Sequence, residues 1–217
     1  MKYKLAIFDL DGTILNTLDD LADSTNHALK ENGLPGRTVE QVRCFVGNGI
    51  GKLIERAVPE GSDAALIRRV HEAFTAHYKV HCADKTRPYE GIVPLLRALR
   101  AAGLMTAVVS NKADYGVQAL CEHYFPGLFD FAVGERTGIR RKPNPDSVLE
   151  VLTRLKTAKE EAVYIGDSDV DIETAKNAGI PCLSVTWGFR DREFLLRHGA
   201  VRLVERPEEI YGEICGI

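Results

Sequence analysis

Carboxylate, hydroxyl and ammonium side chains recur at the ends of short apolar segments of this chain. These polar residues are Asp9, Asp11, Ser110, Asn111, Lys142 and Asp167. In an open sheet of parallel strands, ligands collect at the carboxyl ends of the strands. If the apolar segments are such strands, these side chains meet at one edge of the sheet and form a site.

The carboxylates of Asp9, Asp11 and Asp167 would form an anionic pocket that requires a cation. Gly12 permits a bend that brings Asp9 and Asp11 to the mouth of the sheet. An all-oxygen ligand set without His or Cys favours Mg²⁺. The sequence therefore predicts a magnesium site here.

The same pocket would repel a phosphate dianion unless fixed positive charge were present as well. Lys142 supplies such a charge, and Ser110 with its neighbouring amides can donate hydrogen bonds to phosphate oxygens. With the charge neutralised, one carboxylate can act as a nucleophile and another as general acid and base. These residue types predict phosphoryl transfer.

The positioning elements are short, unbroken apolar runs typical of strands buried on both faces. They cover Leu5–Phe8, Met105–Val109, Phe129–Val133, Ala162–Ile165, Cys182–Val185 and Val201–Val204. Helical patterns lie between them, such as residues 93–102, which Gly103 closes. Lys142 precedes a turn that we expect to start a helix with a proline in its first turn. The alternation predicts an α/β fold, a Rossmann-like parallel sheet with helices on both faces.

Residues 16–85 interrupt this rhythm because they contain helical patterns and no convincing strand. Helices are predicted over about 18–29, after the capping-box sequence Thr38–Gln41, from near Ile50, and over about 63–81. We therefore predict a core domain of residues 1–15 and 86–217 and an inserted α-helical cap domain of residues 16–85. Linkers at 12–16 and 83–88 would allow hinge-like closure.

Four segments in this order resemble the motifs of the haloacid dehalogenase superfamily of phosphotransferases. They are Asp9-Leu10-Asp11-Gly12-Thr13, Ser110-Asn111, Lys142-Pro143 and Gly166-Asp167-x-x-x-Asp171. The resemblance spans the whole chain, because the helical insertion after the first strand matches the helical cap of that family. Within the superfamily the chain is most similar to phosphoglycolate phosphatases, on the segment Val46–Ala57.

The resemblance implies a mechanism. Asp9 attacks phosphorus to give an aspartyl-phosphate, and Asp11 protonates the leaving oxygen and then activates water. Mg²⁺ would be held by the carboxylates of Asp9 and Asp167 and by the backbone carbonyl of Asp11. The presence of Asp11 disfavours true dehalogenases and phosphonate hydrolases, which lack an acid there.

The resemblance also implies supporting roles. Ser110, Asn111 and Lys142 would hold the transferring phosphoryl group. Thr13 and Asp171 would act behind the groups that contact metal and phosphate, with Asp171 orienting either the water shell of the metal or Lys142.

Substrate choice is predicted to lie in Gly47-Asn48-Gly49, which opens a helix whose first-turn amides suit a carboxylate or another small anionic group. Phosphoglycolate is thus the first candidate substrate. A tight helix–helix connection is the alternative reading of this loop. The loop Trp187–Arg190 follows a strand and lies either at the rim of the site or on the solvent side.

The composition narrows the function classes. Lys plus Arg number 28 against 31 for Asp plus Glu, a net charge of −3, so no basic footprint for nucleic acid or anionic membranes is present. No apolar run reaches the length of a membrane span, and the charged start is unlike a signal peptide. We expect a cytoplasmic monomer or homodimer acting on a small phosphorylated metabolite.

The five scattered cysteines predict buried or half-buried thiols rather than disulfides or a zinc site.

Several functions remain open from these residues. A Mg²⁺-dependent phosphomonoester phosphatase is the leading hypothesis. A sugar phosphomutase and an inorganic pyrophosphatase could use the same scaffold. A non-catalytic phosphometabolite-binding protein is the alternative from another class.

Overall fold

The structure, a computed structural model, describes residues 2–216 and divides into two compact units. One unit comprises the chain up to Leu15 and from Pro88 onward, and the other comprises Asn16–Arg87. The division falls inside two short strands, β2 (Leu15–Asn16) and β3 (Arg87–Pro88). The second crossing thus lies two residues beyond the predicted boundary at 85/86.

The larger unit is a parallel sheet with helices. Over the described residues the strand order is β5-β4-β1-β6-β7-β8. The strands are β1 (Leu5–Phe8), β4 (Met105–Ala113), β5 (Phe131–Glu135), β6 (Ala162–Gly166), β7 (Cys182–Val185) and β8 (Leu203–Val204). The helices are α5 (Ile92–Ala101), α6 (Asp114–Tyr124), α7 (Asp146–Arg154), α8 (Asp169–Ala178), α9 (Arg192–Arg197) and α10 (Pro207–Cys215), with a 3₁₀ turn at Lys159–Glu161. The predicted α/β Rossmann-like fold is confirmed.

The central strand β1 is fully buried because both faces of the sheet are covered. Leu5 and Ile7 belong to a core cluster with side chains of α7 and α8. Ala6 and Phe8 point to the opposite face, where the Phe8 ring makes an edge-on contact with Phe129. Continuous burial explains why this strand reads as an unbroken apolar run.

The register sets the positions of the strand ends. Phe8 lies opposite Val108 of β4 and Ile165 of β6. The Asp9 amide extends this ladder by donating to the Ile165 carbonyl at 2.9 Å. Asp9 and Asp167 directly follow β1 and β6, whereas Ser110 and Asn111 lie within the last residues of β4, where its pairing with β5 shifts register.

Four local predictions are wrong in their boundaries. β4 continues to Ala113 rather than ending at Val109, because its pairing with β5 resumes at Ala113 after a register shift. β5 begins at Phe131 rather than Phe129, because the Asp130 carboxylate accepts the Thr106 amide at 2.8 Å in place of a strand carbonyl. β8 begins at Leu203 rather than Val201, which is 93% exposed at the sheet edge. α7 begins at Asp146, so Pro145 occupies its N-cap and no proline lies in its first turn.

The smaller unit is helical. It contains α1 (Leu18–Glu31), α2 (Val39–Phe45), α3 (Gly49–Ala57) and α4 (Ala64–His81) around an apolar core in which the Phe74 and Tyr78 rings stack. The predicted capping box at Thr38 and Gln41 is present.

A buried carboxylate holds the end of this helical unit to its first helix. Asp20 accepts hydrogen bonds from the Lys85 amide, the Thr86 amide and the Thr86 hydroxyl, at 2.8–3.1 Å. The Asp20 side chain thereby connects the first helix of this unit with its last residues.

No two of the five cysteines form a disulfide. Four are buried or half-buried as expected, but Cys44 is exposed. The expectation was wrong at this position because α2 is short and buries only Val42.

Candidate active site

The first strand end is a tight turn built on one carbonyl. The Leu10 oxygen accepts hydrogen bonds from the amides of Thr13, Ile14 and Leu15. Gly12 has φ +86° in this turn, and a Cβ there would overlap the Asp167 carboxylate. Glycine is thus required both by the backbone conformation and by the close approach of Asp167.

Lys142 lies beneath the nucleophile candidate Asp9 as a buried cation. Its Nζ is 2.9 Å from Asp9 Oδ1, 2.8 Å from Asp171 Oδ1 and 3.0 Å from the Tyr164 hydroxyl. Burial lowers the pKa of Lys142, but the carboxylates of Asp171 and Asp9 outweigh this and raise its pKa well above the ordinary value. Lys142 is therefore an ammonium that neutralises the carboxylates around it.

Tyr164 holds Lys142 from inside the sheet. The tyrosine is fully buried in β6, and its hydroxyl lies 3.1 Å from the Val109 carbonyl, which accepts its proton. Burial raises the pKa of Tyr164 well above the ordinary value, so its hydroxyl stays protonated. The lysine ammonium consequently has a fixed neutral oxygen as a third partner, which lies 3.3 Å from Asp171 Oδ1.

Asp171 combines two roles at the start of α8. It is the third residue of a capping box with Ser168, whose hydroxyl and amide donate to Asp171 Oδ2. The other oxygen, Oδ1, accepts the Lys142 ammonium. The sequence expectation that Asp171 orients either a metal water shell or Lys142 corresponds, in this geometry, to contact with Lys142.

Asp167 is enclosed by neighbours that donate to both of its oxygens. The Thr13 hydroxyl donates to Oδ1 at 3.0 Å, and the Phe189 amide donates to Oδ2 at 2.7 Å. A Cβ at Gly188 would overlap Asp167 and the Gly12 carbonyl oxygen. The loop after β7 therefore packs directly against this carboxylate rather than on the solvent side.

Three buried carboxylates cluster between these elements. Oxygen atoms of Asp9, Asp167 and Asp171 lie within 4.8 Å of one another. Burial, and then the charges of the neighbouring carboxylates, raise the pKa of Asp9 well above its ordinary value, although Lys142 opposes the shift. Burial and Asp171 raise the pKa of Asp167 to about 7. Such carboxylates are costly to ionise together, and a cation between them would relieve the cost.

Three consecutive side chains near the end of β4 contact three different partners. Ser110 Oγ accepts the Lys112 amide at 3.2 Å, which leaves the hydroxyl proton available for a phosphate oxygen. Asn111 Nδ2 donates to the Lys142 carbonyl at 3.1 Å. Lys112 Nζ lies 3.0 Å from Asp11 Oδ1. All three residues are buried.

Two contacts at the site, those of Lys112 and Trp187, were not foreseen from the sequence. Lys112 directly follows Ser110-Asn111, yet a lysine after a turn-like dipeptide reads as solvated, and only its burial marks it. Trp187 was left open, and its indole N–H donates to the Thr13 carbonyl at 3.0 Å. An aromatic residue directly after a strand end was the available signal.

The predicted substrate loop lies in the helical unit. Gly47 has φ +122°, Asn48 is the N-cap of α3, and Gly49 has φ +81°. Asn48 Oδ1 accepts Arg56 Nη2 at 2.9 Å, and Arg56 Nη1 donates to the Phe45 carbonyl at 2.7 Å. Arg56 thus closes the loop onto α3, and a role of residues 47–49 in substrate binding stays a prediction.

Helices of the described chain, residues 2–216, include none that is both long and apolar enough to cross a bilayer.

Comparison with known proteins identifies the family of this chain. A model of the haloacid dehalogenase-like hydrolase family matches residues 6–185. A phosphoglycolate phosphatase of Mesorhizobium japonicum is 36% identical over 198 residues, covering 88% of this chain and 86% of that protein.

Solved structures of relatives agree over the whole chain. A crystal structure of a protein assigned as a phosphoglycolate phosphatase from Lactobacillus delbrueckii is 41% identical, with a TM-score of 0.95 and 99% of both chains covered. Another protein so assigned, from Haemophilus somnus, is 28% identical, with a TM-score of 0.91 and 98% of both chains covered. The resemblance to the phosphoglycolate phosphatase-like branch is confirmed, and the chain belongs to the haloacid dehalogenase-like hydrolase family.

Proposed function

We propose that this chain is a Mg²⁺-dependent phosphatase of small phosphomonoesters that forms an aspartyl-phosphate on Asp9. The observation that carries the proposal is the buried network in which Lys142 contacts both Asp9 and Asp171 while Asp167 lies beside them. A buried ammonium next to a nucleophilic carboxylate offers the positive charge that a transferring phosphoryl group needs. The family and the names of the relatives support the same reaction class.

The donor set fits a hard divalent cation. Asp9, Asp167 and Asp171 offer oxygens only, and the site including Asp11 has four acidic residues and two buried ammonium groups, those of Lys142 and Lys112. If all ionise, the site lacks two positive charges, which one Mg²⁺ would supply.

Among the three clustered carboxylates, Asp9 and Asp167 are the better ligands. Asp171 Oδ1 is already paired with the Lys142 ammonium, and its Oδ2 accepts three donors at the start of α8. Each oxygen of Asp167 instead accepts one neutral donor, from Thr13 or Phe189. Asp9 and Asp167 would therefore hold the ion together with the backbone carbonyl of Asp11. When bound, Mg²⁺ would offset the negative charge that otherwise repels the phosphate.

The two steps of the proposed reaction use different residues of the chain. Asp9 attacks phosphorus, the bond to the leaving oxygen breaks, and Asp11 gives its proton to that oxygen. Water next attacks the aspartyl-phosphate, passes a proton to Asp11, and inorganic phosphate leaves Asp9. Ser110, Asn111 and Lys142 would orient the phosphoryl group, with Asn111 acting through its bond to the Lys142 backbone.

For substrate choice, we infer that the helical unit, residues 16–85 in the predicted boundaries, acts as a cap and that Gly47-Asn48-Gly49 contributes to recognition. The core residues contact only groups common to all phosphomonoesters. Gly47 and Gly49 have positive φ on either side of Asn48, and the first-turn amides of α3 have no acceptor within the helix, which suits a carboxylate. Phosphoglycolate is accordingly the first substrate to test, in line with the names of the relatives.

The test is release of inorganic phosphate from phosphoglycolate and from an aryl phosphate, with Mg²⁺ and with EDTA. Asp9→Asn should lower turnover by roughly 10³-fold or more, because the amide is a poor nucleophile. The matched control is Asp191→Asn, at a residue whose side chain caps α9 by accepting the Phe194 amide, since asparagine caps a helix equally well. Substantial activity of folded Asp9→Asn, or activity indifferent to EDTA, would contradict the proposal.

The same assay separates the alternatives. A sugar phosphomutase would require a bisphosphate and release little phosphate, a pyrophosphatase would prefer pyrophosphate, and a binding protein would release none.

The substrate loop, residues 47–49, has its own test. Asn48→Ala should lower kcat/KM for phosphoglycolate more than for the aryl phosphate. Asn32→Ala, at a residue that bonds the Ala28 carbonyl within α1, is the control. An unchanged substrate profile would make residues 47–49 a structural connection only.

A further inference from the structure

Lys112 is a buried lysine of the core unit to which the proposed roles give no chemical task. Its side chain is 5% exposed, and its ammonium lies 3.0 Å from Asp11 Oδ1. Burial of a lysine is unfavourable unless its charge is paired. The pairing across 101 residues of sequence is therefore a specific feature of the site rather than a surface ion pair.

The path of the Lys112 side chain is defined along its length. Its aliphatic carbons run beside Gly116 of α6, at a distance where a Cβ on that glycine would just touch them. Its backbone amide donates to Ser110 Oγ. Lys112 thus connects the predicted phosphate ligand Ser110 with the predicted acid and base Asp11.

We propose that Lys112 is a positioning residue that holds the Asp11 carboxylate for proton transfer. The proposal rests on the proposed function. An ion pair through Oδ1 leaves Oδ2 to carry the proton.

The two half-reactions depend on Asp11 differently. In the first, the Asp9–phosphorus bond forms, the bond to the leaving oxygen breaks, and that oxygen takes the Asp11 proton. A dinitrophenolate leaving group is stable without a proton, so this step can proceed without Asp11. In the second, water attacks phosphorus, its proton passes to Asp11, and the Asp9–phosphorus bond breaks. This second step needs Asp11 for every substrate.

The experiment is rapid mixing of Lys112→Met with 2,4-dinitrophenyl phosphate in Mg²⁺. We expect the rate constant of the dinitrophenol burst to stay within about twofold of wild type. The steady-state rate should fall roughly 10–100-fold, as is typical when a partner that orients an active-site group is removed. With phosphoglycolate, whose leaving oxygen needs a proton, both phases should be slow.

Three outcomes would overturn the proposal. Steady-state turnover equal to wild type would mean that Lys112 has no role in the reaction. Burst and steady-state rates that fall by one common factor, or a raised KM with unchanged kcat, would assign Lys112 to phosphate binding or to the fold. A loss much greater than about twofold on adding Lys112→Met to Asp11→Asn would show that it acts independently of Asp11.

Controls distinguish a failure of this proposal from a failure of the proposed function. Lys4→Met removes an exposed lysine that pairs with Glu161 in the same unit and should change neither phase. If Lys112→Met does not fold, the same measurements on Lys112→Gln decide the question. If wild type itself releases no phosphate from either substrate, the proposed function fails, and that result is distinct from a normal wild type with an unaffected variant.

Discussion

The buried carboxylate of Asp167 should make the metal-free protein less stable than its own asparagine variant. Its pKa is raised from the ordinary value of 3.8 to about 7, chiefly by burial and then by Asp171. At about 1.4 kcal/mol per pKa unit, ionised Asp167 costs the metal-free fold roughly 4 kcal/mol at pH 8. Asp167→Asn removes this cost.

Part of that gain is offset by weaker hydrogen bonds. The Phe189 amide can donate to the asparagine oxygen, and the Thr13 hydroxyl can accept from the asparagine nitrogen, but both bonds lose their ionic partner. The loss is about 1–2 kcal/mol. In EDTA at pH 8 the variant should therefore be more stable by roughly 2 kcal/mol, or about 4–8 °C in melting temperature for a chain of this size.

The sign of the pH dependence follows from the raised pKa. Between the ordinary and the raised pKa, folded Asp167 keeps a proton that the unfolded chain has released. The stability of the metal-free wild type therefore falls as pH rises through this range, and the advantage of Asp167→Asn should shrink at pH 5.

Added Mg²⁺ should reverse the order. At a hundred times its dissociation constant, a ligand stabilises the folded state by about 2.7 kcal/mol, and wild type should gain this while the variant gains less. The assay is thermal unfolding followed by circular dichroism, in EDTA and in Mg²⁺, at pH 5 and pH 8. A variant less stable than wild type in EDTA at both pH values would refute the reasoning.

Two further predictions concern packing and protonation. In Gly188→Ala the added Cβ would overlap Asp167 and Gly12, so the substitution should displace Asp167. The variant should need more Mg²⁺ for activity and lose roughly 1–3 kcal/mol of unfolding free energy. An Mg²⁺ titration of activity equal to that of wild type would contradict this. In the helical unit, His77 stacks between His27 and His81, and burial followed by these two neighbours lowers its pKa, although Asp23 and Asp84 partly oppose the shift. The unfolded chain then binds a proton that the folded unit resists, so stability should fall as pH drops below the ordinary histidine value of 6.5, and His77→Gln should weaken that trend in urea unfolding.

Much of the core could be read from the order of residue types. The strands β1, β6 and β7 match their apolar runs because both faces of the sheet are covered, and an apolar run bounded by polar residues then coincides with a strand. The capping sequences at Thr38 and Asp63 start helices through local hydrogen bonds, which depend only on residues three positions apart.

The acidic residues of the site and Lys142, though not Lys112, were also candidates in advance, because parallel strands bring their carboxyl ends to one edge. What the sequence determined was most of the groups at that edge. It left open which group pairs with which, since Lys142 could have neutralised any of the carboxylates near it.

Tertiary packing decided the pairings. Lys142 contacts Asp9 and Asp171, Lys112 contacts Asp11, and the Phe189 amide donates to Asp167. Each pair joins residues far apart in the chain, and each is selected by the cost of burying a charge or a polar group without a partner. Residue types and spacing cannot express that cost, because it depends on which side chains are enclosed once the sheet and its helices have come together.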